Sequence, residues 1–206
     1  MKEKAMNEDK KRLFENPILE KLTRTHISIP LVIFFGIAIG LIIYGIYEFN
    51  LGAGVTIGMF LLGLFFFTLI EYVIHRFIFH MPHDDPDSKI HYTLHGVHHE
   101  FPKDKERLAM PPIVSIVLAS IFFGIYWLVF GRKGLPFTAG FLSGYASYLI
   151  AHFSIHRFKP PNNFLKQIWI HHSLHHYQDE EKAFGVSSPL WDFIFRTMPK
   201  KTKRRT

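Results

Sequence analysis

The chain has 206 residues, of which 48% are hydrophobic, and its formal net charge at pH 7 is +7 with histidine taken as neutral. It contains no cysteine, which excludes disulfide bonds and thiolate ligands, so any bound metal must be held by nitrogen or oxygen. The positive charge lies largely at the two ends of the chain, next to apolar segments. This distribution indicates contact with lipid headgroups and excludes nucleic acid as the expected partner.

Residues 1–26 form a polar segment in which a short interfacial helix is expected. Four apolar runs follow, at residues 27–47, 51–74, 113–130 and 135–151. A helix needs about 20 apolar residues to cross the hydrocarbon core of a bilayer. Very short connections join the runs in pairs, which makes the paired helices antiparallel neighbours. The sequence therefore predicts an all-α integral membrane protein with four transmembrane helices in two hairpins.

Thirteen of the fourteen histidines lie between positions 75 and 176, in two groups that each follow a pair of apolar runs. Each group starts with a histidine pair and continues with the pattern His-x-x-His-His. Positions three and four apart share one face of an α-helix, so each pattern is expected to present three imidazoles together. The two groups contain ten such histidines: His75, His80, His95, His98, His99, His152, His156, His172, His175 and His176. Imidazole suits zinc, iron, copper and nickel, so the pattern predicts metal binding.

The other histidines carry weaker signals. His91 and His171 lie one helical turn before two of the ten, and we interpret them as residues that orient ligands or as alternative ligands. His83, which lies in a loop rich in Asp and Pro, is a further candidate of the same kind. His26 is expected to be an ordinary surface or hydrogen-bonded residue.

The spacing of His75 and His80 raises a geometric question. Residues five apart lie about 140° apart around an ideal α-helix. If both side chains reach one metal centre, the helix is therefore expected to end or unwind before His80, and Pro82 makes that ending plausible.

The histidines fall in residues 75–112 and 152–198, which follow the two hairpins and so emerge on the same side of the membrane. Most Lys and Arg residues fall on that side too, including those of a basic tail at residues 199–206. Because cytoplasmic segments carry the excess of Lys and Arg, both termini and a histidine-rich helical cap are predicted to be cytoplasmic. Residues 27–198 are interpreted as a single membrane domain.

A resemblance to a known family is carried by four segments: HRFIFH, HGVHHEFPKDKERLAMPP, HFSIH and HHSLHHYQDEEKAFGVSSPLWD. They resemble the fatty acid hydroxylase superfamily of integral membrane metal oxygenases, over roughly residues 60–198 of this chain. The histidine motifs indicate the superfamily only. The stretches from Arg107 to Pro112 and from Phe184 to Asp192 are similar to those of the fatty acid 2-hydroxylases in particular.

The resemblance implies a four-helix membrane base and a cytoplasmic cap that holds two metal ions through the ten histidines named above. It implies iron as the metal for activity, with zinc possible in the isolated protein, and O2 as co-substrate. The implied reaction is hydroxylation at carbon 2 of a long-chain fatty acyl group, in a free fatty acid, ceramide or another acyl lipid. It implies no catalytic residue beyond the metal ligands.

The sequence lacks the His-Pro-Gly-Gly signature of a cytochrome b5 domain, so a separate donor, similar to cytochrome b5 or ferredoxin, is expected to supply electrons. Two alternatives stay open. One is a hydroxylase or desaturase of the same superfamily that acts on sterol or carotenoid. The other is a metal transporter, which is disfavoured because transporters place ionisable ligands near the bilayer midplane, whereas these histidines lie at the ends of the apolar runs.

Overall fold

The computed structural model describes residues 12–81 and 92–199, which are helical or irregular and contain no β-strand. In chain order its α-helices are α1 (Pro17–Leu22), α2 (Ser28–Phe49), α3 (Ala53–Ile74), α4 (Val97–Glu100), α5 (Pro112–Phe130), α6 (Gly134–Arg157), α7 (Lys166–Tyr177) and α8 (Leu190–Ile194). Two π-helical turns, His75–Phe79 and Tyr92–Gly96, and a 3-10 turn, Gly131–Lys133, occur between them. The predicted all-helical fold is confirmed for this part of the chain.

Within the described residues, three stretches are long and apolar enough to cross a membrane: Ser28–Phe49, Ala53–Phe79 and Pro112–Arg157. The third stretch contains both α5 and α6, which the sequence predicts as separate spans. These two helices fold back on each other, since the rings of Phe122 and Phe141 lie 5.1 Å apart. The stretches support an integral membrane protein, while the count of four spans and the side of the cap stay predictions.

The helix α6 is longer than the apolar run that predicts it. The run ends at Ala151, whereas α6 continues to Arg157 and includes His152 and His156. No proline or glycine interrupts residues 152–157, so the backbone hydrogen bonds continue past the apolar part. The two histidines therefore lie one turn apart on the last turns of a long helix.

Helix α6 is the centre of the bundle and packs against α2, α3 and α5. Its contact with α3 depends on glycine. A Cβ atom on Gly63 of α3 would lie 2.0 Å from the carbonyl oxygen of Phe137, and one on Gly140 of α6 would lie 1.9 Å from that of Phe60. Glycine at these two positions lets the helix backbones touch, as small residues do in membrane helix pairs.

Aromatic side chains fill the interior of the bundle, with Phe34, Phe67 and Phe141 at 1%, 6% and 5% exposure. The outer faces are apolar as well. Val32 and Leu128 are 73% and 85% exposed. Exposed apolar faces of this kind are unfavourable in water but compatible with lipid, which agrees with a membrane location.

Candidate metal centre

The ten histidines predicted as ligands are gathered at one end of the bundle, in two groups of five. The first cluster consists of His75, His80, His95, His99 and His175, and the second cluster consists of His98, His152, His156, His172 and His176. Each histidine offers one ring nitrogen, and within each cluster these nitrogens all lie within 4.8 Å of one another. Among the described residues, no Asp or Glu belongs to either cluster.

The two His-x-x-His-His motifs are each divided between the clusters, which corrects the expectation that each motif presents three imidazoles to one place. His95 and His99 enter the first cluster, but His98 enters the second. On an α-helix, consecutive residues are about 100° apart around the axis. The two adjacent histidines of each motif therefore point in different directions and reach different clusters. Each cluster consequently draws ligands from both halves of the chain.

A π-helical turn brings His80 back beside His75. The backbone N–H of His80 donates to the carbonyl oxygen of His75 at 3.2 Å, and the two ring centroids are 5.1 Å apart. The α-helix therefore ends at Ile74 and is followed by a wider π-helical turn up to Phe79, which agrees with the prediction that the helix ends or unwinds before His80. Such π-helical turns occur frequently at functional sites.

The Nε2 atoms within each cluster are spaced like ligands around an ion. Their separations lie between 2.9 and 3.2 Å for the pairs His75–His95, His95–His99, His98–His152, His98–His176, His152–His156 and His156–His172. Two imidazole nitrogens bound to one metal at about 2.0–2.1 Å are roughly 2.9–3.4 Å apart for bond angles between 90° and tetrahedral. The distances in both clusters fit a shared metal ion.

Backbone carbonyls orient two imidazoles of the first cluster. The Nδ1 of His75 lies 2.5 Å from the carbonyl oxygen of Phe184, and the Nδ1 of His175 lies 2.8 Å from that of Lys182. A carbonyl oxygen only accepts hydrogen bonds, so both Nδ1 atoms must carry the proton. The Nε2 of His175 is buried and has no hydrogen-bond partner among the described residues, which leaves its lone pair available for a metal.

Burial keeps the clusters neutral. It lowers the pKa of His95, His98 and His172 well below the ordinary value, and neighbouring imidazoles lower it further. Burial also lowers the pKa of His175 to about 4, although the carbonyl of Lys182 acts in the opposite direction. The neutral imidazole is the form that binds metal, so the donor set is ready at neutral pH.

An apolar cavity of about 340 Å³ extends from the histidines into the bundle. The end of the cavity next to the clusters is lined by two histidines of each cluster: His75, His95, His98 and His152. Its deeper walls include Phe122 of α5 and Phe141 of α6. Because helical residues rise 1.5 Å each, Phe141 lies about 16 Å along α6 from His152. The cavity is thus narrow, deep and open to both clusters at one end.

Comparison with known proteins identifies the family. A family model described as fatty acid hydroxylase matches residues 60–197, which is most of the chain. The chain belongs to the fatty acid hydroxylase family. It is 38% identical over 148 residues to the ceramide very long chain fatty acid hydroxylase scs7 of Schizosaccharomyces pombe, covering 69% of this chain and 43% of that protein. The family predicted from the four sequence segments is therefore confirmed.

Other members of the family match over similar or longer regions. The fatty acid 2-hydroxylase of Homo sapiens is 37% identical over 155 residues, covering 72% of this chain and 42% of that protein. The dihydroceramide fatty acyl 2-hydroxylase FAH2 of Arabidopsis thaliana is 33% identical over 204 residues, covering 91% of this chain and 80% of that protein. This chain spans less than half the length of the S. pombe and human relatives.

One solved structure of the family has the same fold. It is full-length Scs7p with only the hydroxylase domain visible, and it matches with a TM-score of 0.82 at 33% sequence identity. The match covers 91% of this chain and 71% of that chain. The arrangement of helices described above is therefore that of a hydroxylase domain of this family.

Two histidines of the described part of the chain, His171 and His26, lie outside the two clusters. The Nε2 of His171 is 2.9 Å from a carboxylate oxygen of Asp192, so this ring faces a carboxylate and not a cluster. His83 and His91 lie outside the described residues. His26 is exposed, and its Nδ1 is 2.7 Å from the hydroxyl of Ser28.

Two buried carboxylates near the two clusters form contacts that motif analysis does not predict. Glu71 is 8% exposed and lies one helical turn before His75, and Asp192 is fully buried. Both accept hydrogen bonds from the backbone of residues 184–187. An acidic residue within an otherwise apolar run is a signal that could have drawn attention to Glu71.

Proposed function

We propose that this chain hydroxylates carbon 2 of a long-chain fatty acyl group, with O2 as oxidant and one metal ion at each histidine cluster. The observation that carries the proposal is the apolar cavity that opens onto both clusters. An acyl chain gains about 0.8 kcal/mol for each methylene it buries, so the cavity favours such a substrate. Lipid analysis of cells with and without the gene tests the proposal.

The names of the relatives support the position and the substrate class. The human and A. thaliana relatives are called 2-hydroxylases, and the S. pombe relative is called a ceramide hydroxylase. We extend to this chain the reaction at carbon 2 of an acyl group carried as free fatty acid, ceramide or another acyl lipid. A sterol or carotenoid product is the alternative that the same experiment detects.

When bound, a pair of iron ions supplies the reductive activation of dioxygen that no protein side chain provides. The overall reaction inserts one oxygen atom into a C–H bond at carbon 2 and reduces the other atom to water with two electrons and two protons. The ten histidines would hold the two ions, five from each cluster. Their nitrogen donors accept zinc as well as iron, so the isolated protein is also expected to bind zinc.

The residues around the cavity position the substrate and exclude water. The rings of Phe122 and Phe141 lie 5.1 Å apart in the deeper wall, so the far end of an acyl chain lies against aromatic side chains. Arg107 lines the cavity beside the histidines and pairs with Glu20 at 2.6 Å. With the chain in the cavity, carbon 2 and the polar head group remain at the histidine end, which is the orientation the reaction requires.

The membrane arrangement belongs to the same proposal. Residues 27–198 form one hydroxylase domain with four spans, flanked by the polar segment 1–26 and the basic tail 199–206. The cap and both termini lie in the cytoplasm, where a separate carrier similar to cytochrome b5 or ferredoxin delivers the electrons. Basic side chains on this face favour the approach of an acidic carrier.

Metal analysis of the purified protein is expected to give two ions per chain, because each cluster provides a complete set of five histidine donors. The His98→Ala and His175→Ala variants should each lose metal from a different cluster. His26→Ala is the control and should keep both ions, since His26 is exposed and outside the clusters. One ion or none in active wild-type protein would contradict the two-site proposal.

The proposed topology places the α5–α6 turn outside the cell and α7 inside. The chain has no cysteine, so a single introduced cysteine gives an unambiguous label. Arg132→Cys in the exposed turn should react with a membrane-impermeant thiol reagent in intact cells, and Lys166→Cys at the exposed start of α7 should react only after lysis. The reverse pattern would show that the orientation is inverted.

A further inference from the structure

The segment of residues 182–187, here called the strap, crosses the end of α3 and is held by hydrogen bonds to two buried carboxylates. Asp192 accepts hydrogen bonds from the backbone N–H groups of Phe184 and Gly185 at 2.9 and 2.8 Å. Glu71 accepts hydrogen bonds from the next two N–H groups at 2.7 and 2.8 Å. Four consecutive backbone donors are thus fixed by carboxylate oxygens, which form strong hydrogen bonds.

Other contacts hold Asp192 itself in place. His171 approaches one of its oxygens at 2.9 Å, and the hydroxyl of Thr197 donates to the other at 2.7 Å. The carboxylate is fully buried, so these partners replace water. Gly185 leaves no room for a side chain, since a Cβ atom would lie 2.2 Å from the carbonyl oxygen of Ser188. The strap therefore has one well-defined position against α3.

Two carbonyl oxygens of the strap point at the first cluster. Those of Lys182 and Phe184 accept hydrogen bonds from the Nδ1 atoms of His175 and His75. Between them Ala183 has a φ of 60°, in the left-handed region that residues with a Cβ atom rarely adopt. This turn of the backbone directs both carbonyls toward imidazoles of the same cluster.

Within the described residues, backbone support in the second cluster is limited to a contact between Leu108 and His152. The Nδ1 atoms of His98, His172 and His176 are buried, and no described group forms a hydrogen bond with them. None of the strap hydrogen bonds described above reaches a histidine of this cluster. The two clusters thus have equal numbers of imidazoles but differ in how firmly those imidazoles are oriented.

We infer that the strap makes the first cluster the tighter of the two metal sites, and that Asp192 and Glu71 are positioning residues that act through the strap carbonyls. The inference rests on the proposed function only in that both clusters bind metal. Loss of groups that orient metal-binding histidines typically weakens metal affinity 10–100-fold. A weakened strap should therefore lower the metal affinity of the first cluster and leave the second unchanged.

The test measures Zn²⁺ affinity, by competition with a chromophoric chelator, in full-length chains that keep one cluster intact. His156→Ala with His172→Ala leaves the first cluster, and His80→Ala with His99→Ala leaves the second. Without further change, the chain that keeps the first cluster should bind Zn²⁺ more tightly than the chain that keeps the second. Adding Asp192→Asn should weaken Zn²⁺ binding about 10–100-fold in the chain with the first cluster and leave it unchanged in the other.

Matched controls distinguish a loss of histidine orientation from a general loss of the folded structure. Glu181→Gln removes an exposed carboxylate just before the strap and should change neither affinity. Glu71 accepts both strap hydrogen bonds through one oxygen, which Glu71→Gln can retain, whereas Asp192 accepts through both of its oxygens. Glu71→Gln should therefore weaken the first cluster less than Asp192→Asn does. Thermal unfolding of each metal-free chain checks that the variants remain folded, and Glu71→Gln serves as the test variant if Asp192→Asn does not fold.

Three results would overturn the inference: equal Zn²⁺ affinity of the two clusters, an equal loss of affinity at both, or no loss at the first. Each is independent of catalysis. If the affinities behave as expected but cells make no 2-hydroxy acyl product, the inference stands and the proposed function fails. If the product is made but the strap variants do not alter Zn²⁺ binding, the proposed function stands and the inference fails.

Discussion

Expression of the wild-type chain in a host that lacks 2-hydroxylated lipids is expected to produce 2-hydroxy acyl groups, whereas the His98→Ala and His175→Ala variants are expected to produce none. The two histidines belong to different clusters, and each substitution removes one of five donors. Loss of product in both variants would mean that both clusters are needed. Mass spectrometry of hydrolysed lipids measures the product, and growth under ¹⁸O₂ should add one labelled oxygen atom.

The controls for this experiment address folding and electron supply. His26→Ala should retain wild-type product levels, because His26 is exposed and its ring contacts Ser28, two positions away in the chain. The two inactive variants must remain in the membrane fraction at wild-type abundance, and a donor such as cytochrome b5 or ferredoxin is co-expressed. Hydroxylated sterol or carotenoid without any 2-hydroxy acyl product would transfer the assignment to the alternative oxygenases.

The histidine pattern was readable from the sequence because it is local. Residues one helical turn apart, such as His95 and His99 or His172 and His176, must lie on the same side of a helix whatever the rest of the chain does. The apolar runs were readable for a similar reason, since about 20 apolar residues in succession indicate a membrane span. Local spacing therefore predicted the helices and the ten histidines that the structure brings together.

The division of the ten histidines into two clusters depends on tertiary packing. His98 meets His152, 54 positions away, and His176, 78 positions away, because α6 and α7 bring them to the same point. The π-helical turn after α3 is equally hidden, since it replaces an ordinary helical turn without a glycine or proline in its sequence. The strap is held by Glu71 from more than 100 positions away in the chain. Spacing along one helix contains no information about such contacts.

Substitution of Gly63 by leucine is expected to abolish the folded state and the metal content of both clusters. A Cβ atom there would lie 2.0 Å from the carbonyl oxygen of Phe137, a backbone atom that cannot rotate away as a side chain can. Overpacking of a well-packed interior costs about 1–3 kcal/mol even where side chains can adjust. Because His75 directly follows α3 and His152 lies on α6, separating these helices disturbs both clusters at once.

Gly58→Leu, on the same helix, is the matched control for Gly63→Leu. A Cβ atom at Gly58 meets nothing within 4 Å, so this variant should keep the wild-type melting temperature and two metal ions per chain. Thermal unfolding in detergent and metal analysis of the two variants give the comparison. The same helix receives the same side chain in both, so general effects on membrane insertion or helix propensity cancel. Normal stability and metal content of Gly63→Leu would show that α3 and α6 do not touch at this glycine.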